Sequence, residues 1–156
     1  MLALTCTTLA AQQLEPVRNG LSLSSTLEKL VELRAADGTV RFDFDEGEDL
    51  KEVEQFIYSV QFTNATDQAA EGVRITSPIP PGLRYVAGTA VGPGSIVLFS
   101  VDGGLTFGAV NELVVPDGDA AFRHADAADY THVRWILQAP LDTGATGFVR
   151  FRAAAR

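Results

Sequence analysis

The chain has 156 residues, 46% of them apolar, enough for one domain that buries its own core without a metal or disulfide to staple it. Its 20 acidic residues against 12 basic ones give a net charge of −8. Such a surface is repelled by phosphate backbones and anionic lipid, which argues against nucleic-acid binding and electrostatic membrane docking. The single cysteine, Cys6, excludes an internal disulfide and any site built on several thiolates, and no apolar run is long enough to span a bilayer.

The first residues read MLALTCTTLAAQQLEP. A short apolar run from Met1 to Ala11, with small Thr8, Ala10 and Ala11 near its end, has the form of the back half of a secretory signal cut after Ala10 or Ala11. The usual positive n-region is missing. Leu2 to Cys6 comes near a lipoprotein box, with Thr5 where Gly, Ala or Ser belongs. Residues 1–20 are therefore expected to be a leader and residues 21–156 a single domain.

Leu21 and Leu23 alternate with Ser22 and Ser24. The spacing over Glu28 to Arg34 fits a strand, Asp37-Gly38 marks a turn, and Val40, Phe42 and Phe44 alternate with Arg41, Asp43 and Asp45. A hairpin across that turn is predicted. The run Asp43 to Glu54 holds seven of the chain's 20 acids against a single Lys51. Within it Leu50, Val53 and Ile57 have i, i+3, i+7 spacing, which predicts one helical turn.

Phe56, Tyr58, Val60 and Phe62 share one parity while Ser59, Gln61 and Thr63 take the other, the period of a half-buried strand. A polar turn from Asn64 to Gly72 follows, then a second alternating run at Val73 and Ile75. Pro78-Ile79-Pro80-Pro81-Gly82 stops it, because proline has no N–H for a ladder, and Leu83 and Tyr85 look inward. Ile96 to Val101 is a buried-type strand ended by the Asp102-Gly103-Gly104 turn. Leu113 to Val115 is a short strand, 119–131 a polar loop, and Val133, Trp135 and Leu137 alternate as another strand. A turn at 143–147 leads into Phe148, Val149 and Phe151.

The order of Tyr58 to Asn64, Gly72 to Thr76, Pro78 to Val86, Phe99 to Phe107, Tyr130 to Trp135 and Gly144 to Arg152 resembles the bacterial conserved-repeat domain of unknown function, the eleventh family so named. That family is Ig-like and belongs to secreted and cell-surface proteins. The resemblance covers about residues 25–153 and departs where Glu48 to Gln55 replaces a Gly-Asp pair that usually runs straight into the Tyr strand. It implies an architecture and a compartment and brings no catalytic residues.

Asp43, Asp45 and Asp49 are the candidate calcium ligands, since hard oxygens clustered in one loop are what that ion takes. The EF-hand order fails, however, and a solvated acidic edge that discourages strand pairing is the plainer expectation. Asp102 is read as a turn residue before a cation ligand. His124 and His132, with Asp126 and Asp129 between, match no zinc spacing. Trp135, Tyr85 and Tyr58 suggest a sugar-stacking platform, but the phase of Trp135 with Val133 and Leu137 puts it in the core. Asn64-Ala65-Thr66 fits a glycosylation triplet and equally a turn capped by Asn64. There is no Gly-x-Ser-x-Gly and no phosphate-cradling glycine loop.

The expected fold is all-β, an Ig-like antiparallel β-sandwich of about seven to nine strands. The expected core is Val40, Phe42, Phe44, Tyr58, Val60, Phe62, Val73, Ile75, Leu98, Val133, Trp135, Leu137, Val149 and Phe151. The expected role is a non-enzymatic structural or interaction module, secreted, periplasmic or at the cell surface, whose partner is an envelope protein or glycan, with no cofactor. The alternative is a module that binds calcium or glycan on its end loops.

Overall fold

The computed structural model describes residues 13–18, 20–35, 50–118 and 121–156. They form ten strands and no helix: β1 Gln13–Arg18, β2 Leu21–Ala35, β3 Leu50–Asn64, β4 Arg74–Pro78, β5 Leu83–Tyr85, β6 Ser95–Ser100, β7 Val114–Pro116, β8 Phe122–His124, β9 His132–Leu137 and β10 Thr146–Ala155. Every pairing is antiparallel. A five-stranded sheet runs β1-β2-β3-β10-β5, a three-stranded sheet runs β4-β9-β6, and β7-β8 is a separate hairpin. The two larger sheets pack face to face as a β-sandwich. No helix among the described residues is long and apolar enough to cross a membrane.

Period-2 alternation builds the inner faces. Val73, Ile75 and Ile79 are buried while Arg74, Thr76 and Pro78 are exposed. On β10, Val149, Phe151 and Ala153 point inward, and their partners across the ladder on β3 are Val60, Tyr58 and Phe56. Gly147 faces Phe62, whose ring lies over it; a Cβ there would sit 2.4 Å from the ring's Cζ, so only glycine fits. Between the sheets Trp135 stacks on Phe151 with centroids 6.3 Å apart, Tyr85 meets Phe99 at 5.0 Å, and Phe99 stacks on Tyr130 at 4.4 Å. Aromatic pairs of this kind hold the layers together through area burial plus ring-quadrupole geometry.

Several expectations change. The helical turn over Leu50 to Ile57 is replaced by strand β3, because β2 offers a ladder along its whole length, Leu21 opposite Asn64 through to Ala35 opposite Leu50. The partner of residues 28–34 is thus β3; the expected strand at 40–44 and its turn lie outside the described residues, as do Val40, Phe42 and Phe44. The polar loop over 119–131 contains β8. Strand β1 lies before Leu21, where the domain was expected to start. The leader residues Met1 to Ala11 lie outside the described residues. Leu98 faces outward: Val97 and Phe99 take the inner face of β6 instead. Tyr58 and Leu137 are only partly buried against the core.

Two features position surfaces. Beyond Gln55, β3 has left β10 behind but still pairs with β2, so residues 31–35 and 50–54 continue as a two-stranded ribbon for about 17 Å at the usual strand rise. On the other edge of β10, the chain after β5 stays attached through side chains. The Thr89 hydroxyl donates to Val86 O at 2.6 Å and accepts from Arg152 N at 3.0 Å, and the Tyr85 hydroxyl accepts from the N–H groups of Thr89 and Ala90.

Candidate interaction surface

The three-stranded sheet has an outer face, turned away from the five-stranded sheet, that is only partly covered by the described residues. Register places Arg74, Ile136 and Ile96 in one row and Thr76, Arg134 and Leu98 in the next. Ile96 is 48% exposed, and Leu98 and Ile136 are half-buried. Arg134 lies with its guanidinium carbon 3.5 Å from the centre of the Phe107 ring and donates from Nε to Thr76 Oγ1 at 2.9 Å. Burial, and then the like charge of Arg74, push the Arg134 pKa down. The face is therefore apolar, carries two cations, and has no acid within these two rows.

Its upper part is built over by the loop after β6. Asp102 organises that loop. Its carboxylate accepts from Ser100 Oγ at 2.7 Å, Leu105 N at 3.1 Å, Thr106 N at 2.9 Å and Thr106 Oγ1 at 2.5 Å. These bonds, those from Thr106 foremost, hold its pKa well below the usual carboxylate range. Gly103 and Gly104 take φ of 76° and 87°, a conformation that costs other residues, and a Cβ on Gly104 would press on the His132 ring at 3.3 Å. Asp102 is thus a turn residue whose acceptor sites are filled by protein donors. Leu105 stands at the tip, 84% exposed.

The other candidates separate in space or function. His124 is exposed on β8 and His132 half-buried at the start of β9. The Asp129 carboxylate grips the Arg123 guanidinium in a fork at 2.6 and 2.8 Å, with Asp126 at 3.8 Å, and that pairing lowers the Asp129 pKa. Among the described residues no three His, Cys, Asp or Glu side chains converge to hold a metal ion. Asp43, Asp45 and Asp49 lie outside the described residues. The stacking platform is not formed: Trp135 is 0% and Tyr85 4% exposed. Asn64 is buried completely. Its Nδ2 donates to the carbonyls of Gln68 at 2.7 Å and Leu141 at 2.9 Å, and its Oδ1 accepts from Thr66 N and Oγ1. Its amide nitrogen is committed to the turn, and the folded chain presents no acceptor for a glycan there.

Two hollows remain. One of about 350 Å³ lies between the edges of the two sheets, floored by Tyr85, Phe99 and Tyr130 and rimmed by Val110 and Asp126. The other, about 290 Å³, is a groove beside β10 with Thr89, Val91, Arg150 and Arg152 on its walls. Sequence reasoning missed the outer face of the small sheet. The signal was present in Ile96-Val97-Leu98-Phe99, four apolar residues in a row, the pattern of a strand covered on both faces, in a sheet that the fold covers on one. No family model, curated protein or solved structure matches the chain.

Proposed function

We infer that the protein is a non-enzymatic interaction module, an Ig-like sandwich exported to the cell envelope or surface, and that it binds through the outer face of the three-stranded sheet. The observation that carries this is that face itself: exposed Ile96 and half-buried Leu98 and Ile136 beside Arg74 and Arg134, in a chain whose net charge is −8. Exposed apolar side chains flanked by arginine are the composition of recognition surfaces. The leader-like run Met1 to Ala11 and the order of motifs from Tyr58 to Arg152 support the compartment and the Ig-like reading. The hollow floored by Tyr85, Phe99 and Tyr130 favours a second reading, a small ligand held between the sheet edges.

The test fractionates source cells, maps the N-terminus of the native protein by mass spectrometry, and crosslinks it in place. Recovery from the envelope or medium, beginning near Ala11 or Gln12, with crosslinked species lost in an Ile96→Asp, Arg74→Glu variant, is the expected result. Cytosolic protein that retains Met1 removes the export reading. Crosslinks unchanged in the variant remove the face as the binding surface.

A further inference from the structure

The hollow between the sheet edges has walls that are held open by the protein's own bonds. Tyr85 of β5 and Phe99 of β6 meet at its floor, with Tyr130 stacked on Phe99 at 4.4 Å. On one side the Tyr85 hydroxyl accepts from the N–H groups of Thr89 at 3.1 Å and Ala90 at 3.0 Å, which fixes the chain after β5. On the other side Ala125 N donates to Leu113 O at 2.9 Å, and the Asp129 carboxylate, gripped by Arg123, accepts from Asp126 N at 2.8 Å. At about 350 Å³ the hollow falls within the roughly 300–1,000 Å³ of small-ligand sites. Walls formed in advance reduce the ordering that binding must overcome.

One polar group in this hollow has no partner. Tyr130 is 3% exposed, and its hydroxyl makes no hydrogen bond among the described residues. Its oxygen is not one of the side-chain atoms sealed from solvent, so it opens on the hollow that the residue lines. Burial, then the neighbouring Tyr85, Asp126 and Asp129, raise its pKa, so the phenol keeps its proton at neutral pH. A buried donor without an acceptor is costly, and a ligand that accepts from it relieves that cost. The Tyr85 hydroxyl has the same requirement: two N–H groups use its lone pairs, and its proton has no acceptor among the described residues.

The surroundings select against charge on the ligand. An anion would face Asp126 at the rim, and Arg123 is already committed to Asp129 in a fork at 2.6 and 2.8 Å. A cation finds little more. Asp126 accepts from Ala128 N at 2.7 Å and has the Arg123 guanidinium at 3.8 Å, and the floor rings, packed on one another and 3% or 4% exposed, present no open face for a cation to sit on. We propose that the hollow binds a small neutral molecule with an apolar, ring-sized body and an oxygen (ketone, ester or ether) that accepts a hydrogen bond from Tyr130. An apolar cavity of about 150 Å³ takes one benzene, so this one holds about one or two rings, lying against Val110 and Ala127. This deepens, and rests on, the reading of the hollow as a small-ligand site, and is independent of the sheet's outer face.

The test is a titration of the full chain, labelled with nitrogen-15 and followed by its amide NMR spectrum at neutral pH. Four probes of one size are used: acetophenone, ethylbenzene without the acceptor, benzylamine as the cation and benzoate as the anion. Acetophenone is expected to shift the amides of Ala90 and Ala127 and to bind about tenfold more tightly than the other three, the usual worth of one hydrogen bond. Tyr130→Phe keeps the ring and removes the hydroxyl, and is expected to level acetophenone with ethylbenzene. Ala127→Leu fills the hollow and is expected to weaken both about tenfold or more. Melting curves establish that each variant is folded, and Ala127→Val serves if the larger residue unfolds the chain. Ethylbenzene or a charged probe binding in the hollow as tightly as acetophenone, or a preference for acetophenone that survives in Tyr130→Phe, overturns the proposed ligand class and leaves the hollow as a small-ligand site. No shift from any probe up to its solubility, or shifts away from the hollow that Ala127→Leu leaves unchanged, overturns the proposal and the small-ligand reading together.

Discussion

Asp102 shows what a single carboxylate does in an acid-rich chain. The short spacing Ser100-x-Asp102-Gly103-Gly104-x-Thr106 brings two hydroxyls and two backbone N–H groups onto one side chain. Because these donors favour the ionised form, the folded pKa is depressed. The stabilisation is therefore complete above the unfolded value of about 3.9 and drains away as pH falls below it towards the lower folded value. Asp102→Asn is expected to flatten the fall in melting temperature between pH 6 and about pH 2, leaving wild type and variant closer at acid pH than at neutrality. Parallel melting-temperature profiles for the two proteins would show that the carboxylate's charge does not matter to the loop. Asn64 plays the comparable role at the C-terminal end of β3, where four side-chain bonds organise residues 64–68 and one of them ties the turn to Leu141.

Strand β6 is the element whose phase decides the surface. Its residues are apolar at both parities, so local pattern alone permits either Leu98 or Phe99 to face the core. The ladder to β9 resolves this: Phe99 pairs with Val133 and Val97 with Trp135, both partners wholly buried, while Leu98 pairs with Arg134. Phe99→Ala is accordingly expected to cost about 3–5 kcal/mol, and Leu98→Ala about 1 kcal/mol or less. Urea unfolding of the two variants measures both, and the reverse order would mean the strand is out of register by one residue. The same logic applies to β3 over Leu50 to Ile57. Three apolar residues at helical spacing form a strand there because a partner strand satisfies their backbone groups.

At the scale of the whole molecule, the sandwich closes on Trp135. It lies at the centre of the small sheet, stacks on Phe151 of the large one, and meets the chain again at Gly92, where a Cβ would come within 2.5 Å of its ring. The indole Nε1 is buried without an acceptor among the described residues, so its contribution rests on the volume it fills. Trp135→Ala is expected to cost about 3–5 kcal/mol, a large share of the 5–15 kcal/mol that holds an ordinary domain together. Trp135→Phe is expected to cost much less, because it surrenders an orphaned donor worth about 1–3 kcal/mol in desolvation. Equal losses on chemical denaturation would show that the ring's fit, and not burial, sets its contribution.

The sequence by itself determined the all-β class, the inward residues of β3, β4, β9 and β10, the turn at 102–104 and the place of Trp135 in the core. Each of these is carried by a local signal: alternation with period two, a glycine pair after an aspartate, a proline that ends a ladder. The tertiary structure alone decided what depends on partners far apart in the chain. Phe62 needs Gly147 opposite it, β2 takes β3 across the intervening 36–49, and the order β1-β2-β3-β10-β5 sets first strands beside last. The outer face of the small sheet belongs to this second kind. Its three aliphatic residues come from β6 and β9, and only the stacking of two sheets shows which side of those strands is left uncovered. Alternation along a strand records that its two sides differ; which neighbour each side meets is settled by contacts that no local window contains.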